Sequence, residues 1–176
     1  MAAGNRAGAK FMKKILITGF CGTSSELLVK KAVGKLLILP NDKVLDSQIL
    51  LTEVGRHAYK YIFSFGQKPN IKDKVYIETT ARNGGRSYHT DFECDKLREA
   101  LEAEKITVRI SDNAGTSFCN ALYWNVLEYF HAQKFEAKIV FLHIPFCKNM
   151  TAPEDFCERI RKGIENYCWT VQTYQE

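Results

Sequence analysis

Three side chains of the types that together transfer acyl groups stand at the ends of apolar runs. Cys119 lies in "SDNAGTSFCNALYWNVLEYF", where Gly115 breaks the preceding chain and apolar residues follow at helical spacing through Leu122, Val126 and Phe130. Thr116 is a good N-cap there, which makes Cys119 the third residue of a helix, where unpaired N–H groups and the positive dipole end favour an anion. A thiolate is the form of cysteine that attacks carbonyls. His143 closes the apolar run in "EAKIVFLHIP", where a strand stops being covered, and offers that thiol a base. Glu78 ends "VYIE" directly after three apolar or aromatic residues, and a half-buried carboxylate needs a partner such as an imidazole. Taken singly, each has a plainer reading: Cys119 as a small packed residue, His143 as a satisfied strand-end histidine, Glu78 as an exposed strand-end acid. The helix start and a neighbouring imidazole together predict a lowered Cys119 pKa, and faster alkylation at neutral pH than at the other thiols.

Positioning these groups falls to apolar runs that alternate with amphipathic stretches. "KKILITGF" (13–20) reads as a buried strand ending at Gly19 and Gly22, followed by a helix over "SSELLVKKAVGK" capped by Ser24 or Ser25. Further strands are "LLILP" (36–40), "YIFSFG" (61–66), "VYIET" (75–79), "ITVRIS" and the run ending at His143. Helical spacing marks "DKVLDSQILLTEVGRHA", "DFECDKLREALEAE" (91–104), the Cys119 stretch and a last helix from about Pro153, a residue suited to a first turn. This alternation predicts an α/β fold: a three-layer αβα sandwich with a mostly parallel central sheet. Sites in such sheets gather at the carboxyl ends of strands. "TTARNGGRSYHT" (79–90) reads as a loop whose Asn-Gly-Gly favours a turn and mobility.

Composition removes several function classes. A chain of 176 residues that is 45% apolar suits one domain, read as residues 13–176, with residues 1–12 a disordered tail or an expression remnant. "MAAGNRAGAK" carries no apolar segment of the secretory kind. A net charge of +5 without a Lys/Arg run interleaved with aromatics argues against nucleic acid as a partner, and the longest apolar run, 139–144, is far too short for a membrane span. Six cysteines (21, 94, 119, 147, 157 and 168) beside an ample core read as free thiols in a reducing cytoplasm, with Cys157 and Cys168 on one face of the last helix, in the core. There is no C-x-x-C, and His143 with Cys147 is a lone H-x-x-x-C pair, so no metal is expected. "ITGFCG" matches neither phosphate-loop pattern, and no cofactor is expected. His57, His89 and His131 read as surface residues.

The order of these parts is more specific than any one of them. "ILITGF", Gly66-Gln67, Glu78, "AGTSFCN" and "FLHIP" follow one another as in pyroglutamyl peptidase type I, the pyrrolidone-carboxylate peptidases, and the chain resembles a shortened or divergent member of that family from about Lys13 to Pro145. The resemblance implies a cytosolic cysteine peptidase that removes an N-terminal pyroglutamyl group from a peptide or small amide substrate. In it Cys119 is the nucleophile, His143 the base and later the acid, and Glu78 the group orienting the imidazole. It further implies substrate-binding roles for Phe20, Gln67, Asn120 and Arg82, the last near the developing oxyanion, and assembly into a homo-oligomer. Two departures stand out. After Phe20 the family's Pro-Phe-Gly-Gly loop is replaced by "CGTSSE", and the Ala-Arg-x-Pro-Asp-Asn segment after the glutamate is shortened to one in which Arg82 and Asn83 remain. They leave room for another small acyl group as substrate, or for a non-enzymatic relative that binds a ligand or protein partner on the same fold.

Overall fold

The strands Ile15–Phe20, Tyr61–Lys68 and Lys138–Pro145 are buried along almost their whole length, as a sheet covered on both faces requires. The computed structural model describes residues 12–32 and 34–173. Among the described residues the chain runs β1 (Ile15–Phe20), α1 (Ser24–Val29), β2 (Lys35–Leu39), α2 (Leu45–Arg56), β3 (Tyr61–Lys68), β4 (Lys74–Glu78), β5 (Thr80–Asn83), β6 (Arg86–His89), α3 (Cys94–Ala103), β7 (Thr107–Ser111), α4 (Phe118–Gln133), β8 (Lys138–Pro145) and α5 (Pro153–Thr173). The main sheet has the order β2-β1-β3-β8-β4-β7. Alternation along its strands divides the core in two. Ile15, Ile17, Phe63, Phe65, Val140, Leu142 and Ile144 pack with Leu97 and Leu101 of α3 and with Ile160, Ile164 and Tyr167 of α5. Leu16, Phe20, Ile62, Ile139 and Phe141 point the other way, against Leu50 and Val54 of α2 and Leu122, Tyr123 and Val126 of α4. This is the expected αβα sandwich, and Cys157 and Cys168 lie in the first of its cores.

The sheet is mostly parallel, as expected, and three details go beyond or against the expected layout. β4 pairs with β8 antiparallel, while β1–β2, β1–β3, β3–β8 and β4–β7 are parallel. The cause is the link 69–73, far shorter than the dozen or so residues a parallel crossover takes; it turns back with Asn70 and Asp73 at φ 62° and 46°. Glu78 therefore enters from the opposite direction to His143 and lies across from Phe141. Second, the expected loop 79–90 is a β5–β6 hairpin in which Asn83 pairs with Arg86 and Gly84 and Gly85 take φ 54° and 81°, values only glycine adopts readily. Its Tyr88 ring packs 4.7 Å from Trp124 and 5.0 Å from His131 of α4. Third, α1 stops at Val29 and is capped by Thr23, whose side chain accepts from the Ser25 N–H.

Met12 packs against the core, so at that residue the expected tail is already part of the domain; residues 1–11 lie outside the described ones. His57, His89 and His131 are exposed, as expected. Among the described residues no helix is long and apolar enough to cross a membrane.

The seam between α3 and α5 closes on Gly163, where a Cβ would lie 2.8 Å from Leu101 Cδ2 and 3.1 Å from its Cα. Alanine gains about 1 kcal/mol of helix propensity over glycine. Overpacking a seam against backbone costs about 1–3 kcal/mol. Gly163→Ala is thus expected to lower the urea midpoint at unchanged slope; a midpoint that rises would mean that the helices part without cost.

Candidate active site

Helix α4 begins at Phe118, with Ser117 rather than Thr116 as N-cap, so Cys119 is its second residue. The cap makes no side-chain bond to the helix; the Ser117 hydroxyl bonds the Cys119 thiol instead. First-turn N–H groups have no partner within the helix and remain available to an anion. The approach to α4 is fixed by Asn113, whose Oδ1 accepts from the Gly115 N–H at 3.0 Å, with Gly115 at φ 83°. The thiol is seated on β3: a Cβ at Gly66 would lie 2.6 Å from Cys119 Sγ and 2.9 Å from Phe141 Cζ. Gly66 is the β3 partner of His143 in β8, so the sulfur and the imidazole share one face of neighbouring strands.

His143 and Glu78 are both buried, with their side chains 3% and 0% exposed, and His143 Nδ1 lies 2.7 Å from Glu78 Oε1. The same Oε1 accepts from Lys68 Nζ at 2.9 Å. Lys68 also donates to the Asn113 carbonyl at 3.0 Å, and its ammonium lies 5.0 Å from the Tyr76 ring centroid. The Tyr123 hydroxyl of α4 donates to the Glu78 carbonyl at 3.0 Å, which fixes the end of β4 against the helix. Burial pushes the Glu78 carboxyl up, but hydrogen bonds from His143, Ser111 and Lys68, with the His143 charge, outweigh it and hold the group below 4.5. Being ionised, the carboxylate only accepts, so Nδ1 carries the imidazole proton and Nε2 keeps its lone pair. Burial also pushes His143 below 6.5; the Glu78 bond opposes this and the Lys68 charge reinforces it.

The expected lowering of the Cys119 pKa is corrected by the structure. Burial pushes the thiol up to about 12, against hydrogen bonds from Ser117 and its own backbone N–H and the Lys68 charge, while Glu78 raises it further. Desolvation outweighs the helix start because Cys119 belongs to one buried cluster with Phe20, Phe141 and side chains of α4. At neutral pH the resting pair is then a thiol and a neutral imidazole, and a thiolate forms only as its proton leaves.

The other expected site residues divide. Phe20 closes β1 on the thiol's face, 2% exposed, its ring 6.4 Å from that of Phe141. The "CGTSSE" after it is engaged internally: Thr23 Oγ1 donates to the Phe20 carbonyl at 2.8 Å, Ser25 Oγ accepts from the Phe20 N–H at 2.9 Å and Glu26 accepts from the Gly22 N–H at 2.7 Å. Gln67 is not brought to the thiol. Strand alternation turns its side chain to the α1 face, where Oε1 accepts from the Ser24 N–H at 3.2 Å, so only its backbone borders the site. Asn120 is a clamp: Oδ1 accepts from the Arg82 N–H at 3.0 Å and Nδ2 donates to the Arg82 carbonyl at 2.8 Å, binding the hairpin to α4 and leaving that amide little capacity for substrate. The exposed Arg82 guanidinium donates to Asp112 Oδ2 at 2.8 Å and to its carbonyl at 3.2 Å, over the loop that leads to α4. Sequence reasoning missed Lys68. Extending β3 two residues past Gly66 would have placed Lys68 on the face of Gly66 and Gln67 on the other. Among the described residues, no group of three or more His, Cys, Asp or Glu side chains is arranged to hold a metal.

Comparison with known proteins agrees with this geometry. A family model described as pyroglutamyl peptidase matches residues 66–168, the span from the thiol's seat to α5. Pyrrolidone-carboxylate peptidase 1 of Caldanaerobacter subterraneus subsp. tengcongensis is 33% identical over 152 residues, covering 81% of this chain and 69% of its own. Its counterpart from Bacillus cereus is 31% identical over 195 residues, covering 88% and 90%. Among solved structures, pyroglutamyl peptidase I of Bacillus amyloliquefaciens superposes with a TM-score of 0.78 at 18% identity, over 89% of this chain and 97% of that one. Pyrrolidone carboxyl peptidase from Thermococcus litoralis gives 0.76 at 17% identity, over 93% and 96%. With Gly66, Glu78, Cys119 and His143 all inside or bordering one buried cluster and inside the matched span, the chain belongs to the pyroglutamyl peptidase family.

Proposed function

We propose that this chain is a cysteine peptidase that removes an N-terminal pyroglutamyl, or similarly small, acyl group by attack of Cys119 on the amide carbonyl. The observation that carries the reading is the buried 2.7 Å contact between His143 and Glu78, next to a thiol seated on the strand partner of that histidine. His143 Nε2 takes the thiol proton as the Sγ–C bond forms, and Glu78 stabilises the imidazolium. Backbone N–H groups at the start of α4 hold the tetrahedral oxyanion, each worth about 3 kcal/mol, with Arg82 adding positive charge at the rim. His143 then returns the proton to the leaving amine as the C–N bond breaks, and water, deprotonated by the same imidazole, releases the acyl group and restores the thiol. Phe20, at the end of β1, offers an apolar edge to the acyl ring, and the Gln67 backbone borders it at the end of β3. The exposed thiols of Cys21 and Cys147 suit a reducing compartment, and the cytoplasm is part of the same proposal.

Release of a fluorophore from a pyroglutamyl amide is the direct assay. The intact chain should turn it over, and Cys119→Ala or His143→Ala should lose at least about a thousandfold in kcat. Equal turnover by the chain and its Cys119→Ala variant would remove Cys119 as nucleophile, and no turnover by the intact chain would sink the substrate assignment.

The pKa directions fix the pH behaviour. A histidine held below 6.5 stays an unprotonated base as pH falls through that value, so the acid limb of kcat/KM should lie below pH 6.5. A thiol pushed up to about 12 carries little thiolate at neutrality. Its reaction with iodoacetamide should therefore rise roughly tenfold per pH unit through the neutral and mildly alkaline range. A rate already level at pH 7 would reveal a preformed thiolate instead.

Gly66→Ala tests the seat. Its methyl would drive the sulfur off His143, and we expect kcat to fall by about a hundredfold or more with a far smaller change in melting temperature.

A further inference from the structure

Lys68 has no part in the reaction as written, yet three components of the site meet at its ammonium group. Nζ lies 2.9 Å from Glu78 Oε1, the oxygen that also holds His143 Nδ1. It lies 3.0 Å from the carbonyl of Asn113, the residue whose side chain shapes the turn into α4. The same group lies 5.0 Å from the ring centroid of Tyr76, which pairs with His143 across β4 and β8. The side chain is only 26% exposed, so these contacts are poorly screened.

We propose that Lys68 is a positioning residue of the active site: it fixes the Glu78 carboxylate in the orientation that His143 needs and ties the loop leading to Cys119 to that carboxylate. The inference rests on the reading of Cys119, His143 and Glu78 as the reacting groups. A carboxylate with one oxygen shared between an imidazole and an ammonium, and with Ser111 as a further hydrogen-bond partner, has little freedom to rotate. The loop is held at the other end of the same ammonium, so the distance between nucleophile and base depends on both bonds. Lys68 touches neither the sulfur nor the acyl group; it acts through Glu78 and Asn113. The titratable groups around the imidazole are Glu78 from β4, Lys68 from β3 and Cys119 from α4. Tyr76 and Arg109, paired across β4 and β7, extend the same face. Within that set Lys68 is the cation that lowers both His143 and Cys119, so its removal should move both upward.

The test compares the full chain with Lys68→Met and Lys68→Arg in two assays: alkylation of Cys119 by iodoacetamide across pH, read by mass spectrometry, and kcat and KM on the pyroglutamyl amide. Lys68→Met should slow Cys119 alkylation at pH 7 roughly three- to tenfold, half to one pKa unit, and shift the acid limb of kcat/KM to higher pH. Its kcat should fall with KM little changed, and Lys68→Arg should recover at least half of each change. If Lys68→Met melts early, Lys68→Gln, which keeps a donor without the charge, takes its place in the same assays. An alkylation profile that superposes on that of the unaltered chain, or an arginine variant as impaired as the methionine one, overturns the proposal. A shifted alkylation profile in a chain that does not cleave the amide supports Lys68 while discarding the substrate.

Discussion

Glu78 is a carboxylate with no solvent exposure, and an unpaired charge so placed would cost several kcal/mol. The structure meets that cost with an imidazole N–H at 2.7 Å and an ammonium at 2.9 Å, and a hydrogen bond from Ser111 lowers it further. Everything chemically useful here follows from keeping that group ionised while buried. The charge settles the tautomer of His143, and the tautomer leaves Nε2 as the base. Because burial outweighs the attraction of Glu78, the base stays neutral at rest. The thiol is likewise held protonated by burial. The site therefore stores its polarity in the Glu78–Lys68 pair rather than in a thiolate–imidazolium pair. Such an arrangement protects a cysteine from adventitious oxidation and alkylation, since both follow thiolate content.

The backbone makes this cluster affordable. A sheet with every strand parallel would send β4 the same way as β8 and present Glu78 and His143 as neighbouring strand ends. The short link after Lys68 reverses β4 instead, so Tyr76 faces His143 and Glu78 faces Phe141, one pleat deeper. From there the carboxylate reaches the imidazole along the sheet and stays under α4. Gly66 completes the geometry by omission: without a side chain, β3 lets the sulfur drop to the sheet beside the imidazole. The β5–β6 hairpin adds the last constraint, since the Asn120 amide joins it to α4 immediately after Cys119.

The departure from the family around Phe20 has a local physical account. In "CGTSSE" the Thr23 and Ser25 hydroxyls and the Glu26 carboxylate cap α1 and brace the turn, and the Ser24 hydroxyl donates to the Pro145 carbonyl of β8, so Phe20 just before it is the aromatic ring at the end of β1.

The sequence by itself determined the layers of the fold, because apolar period is a local property, and it singled out Cys119, His143 and Glu78, because "AGTSFCN", "FLHIP" and the Glu after an apolar run occur in a specific order. It also placed Cys157 and Cys168 in the core from helical spacing alone. What only the tertiary structure decided were quantities that depend on distant segments meeting. The direction of β4 came from a link length weighed against strand order, the hairpin at 79–90 from support by α4, and the face of Gln67 from β3 running on to Lys68. The thiol's pKa belongs to this class too: a helix start is visible in the chain, but the desolvation that overrides it comes from Phe20 and Phe141, far away in sequence. Lys68 was hidden for the same reason, since a lysine after a strand reads as solvated until a buried carboxylate ten residues on is folded back against it.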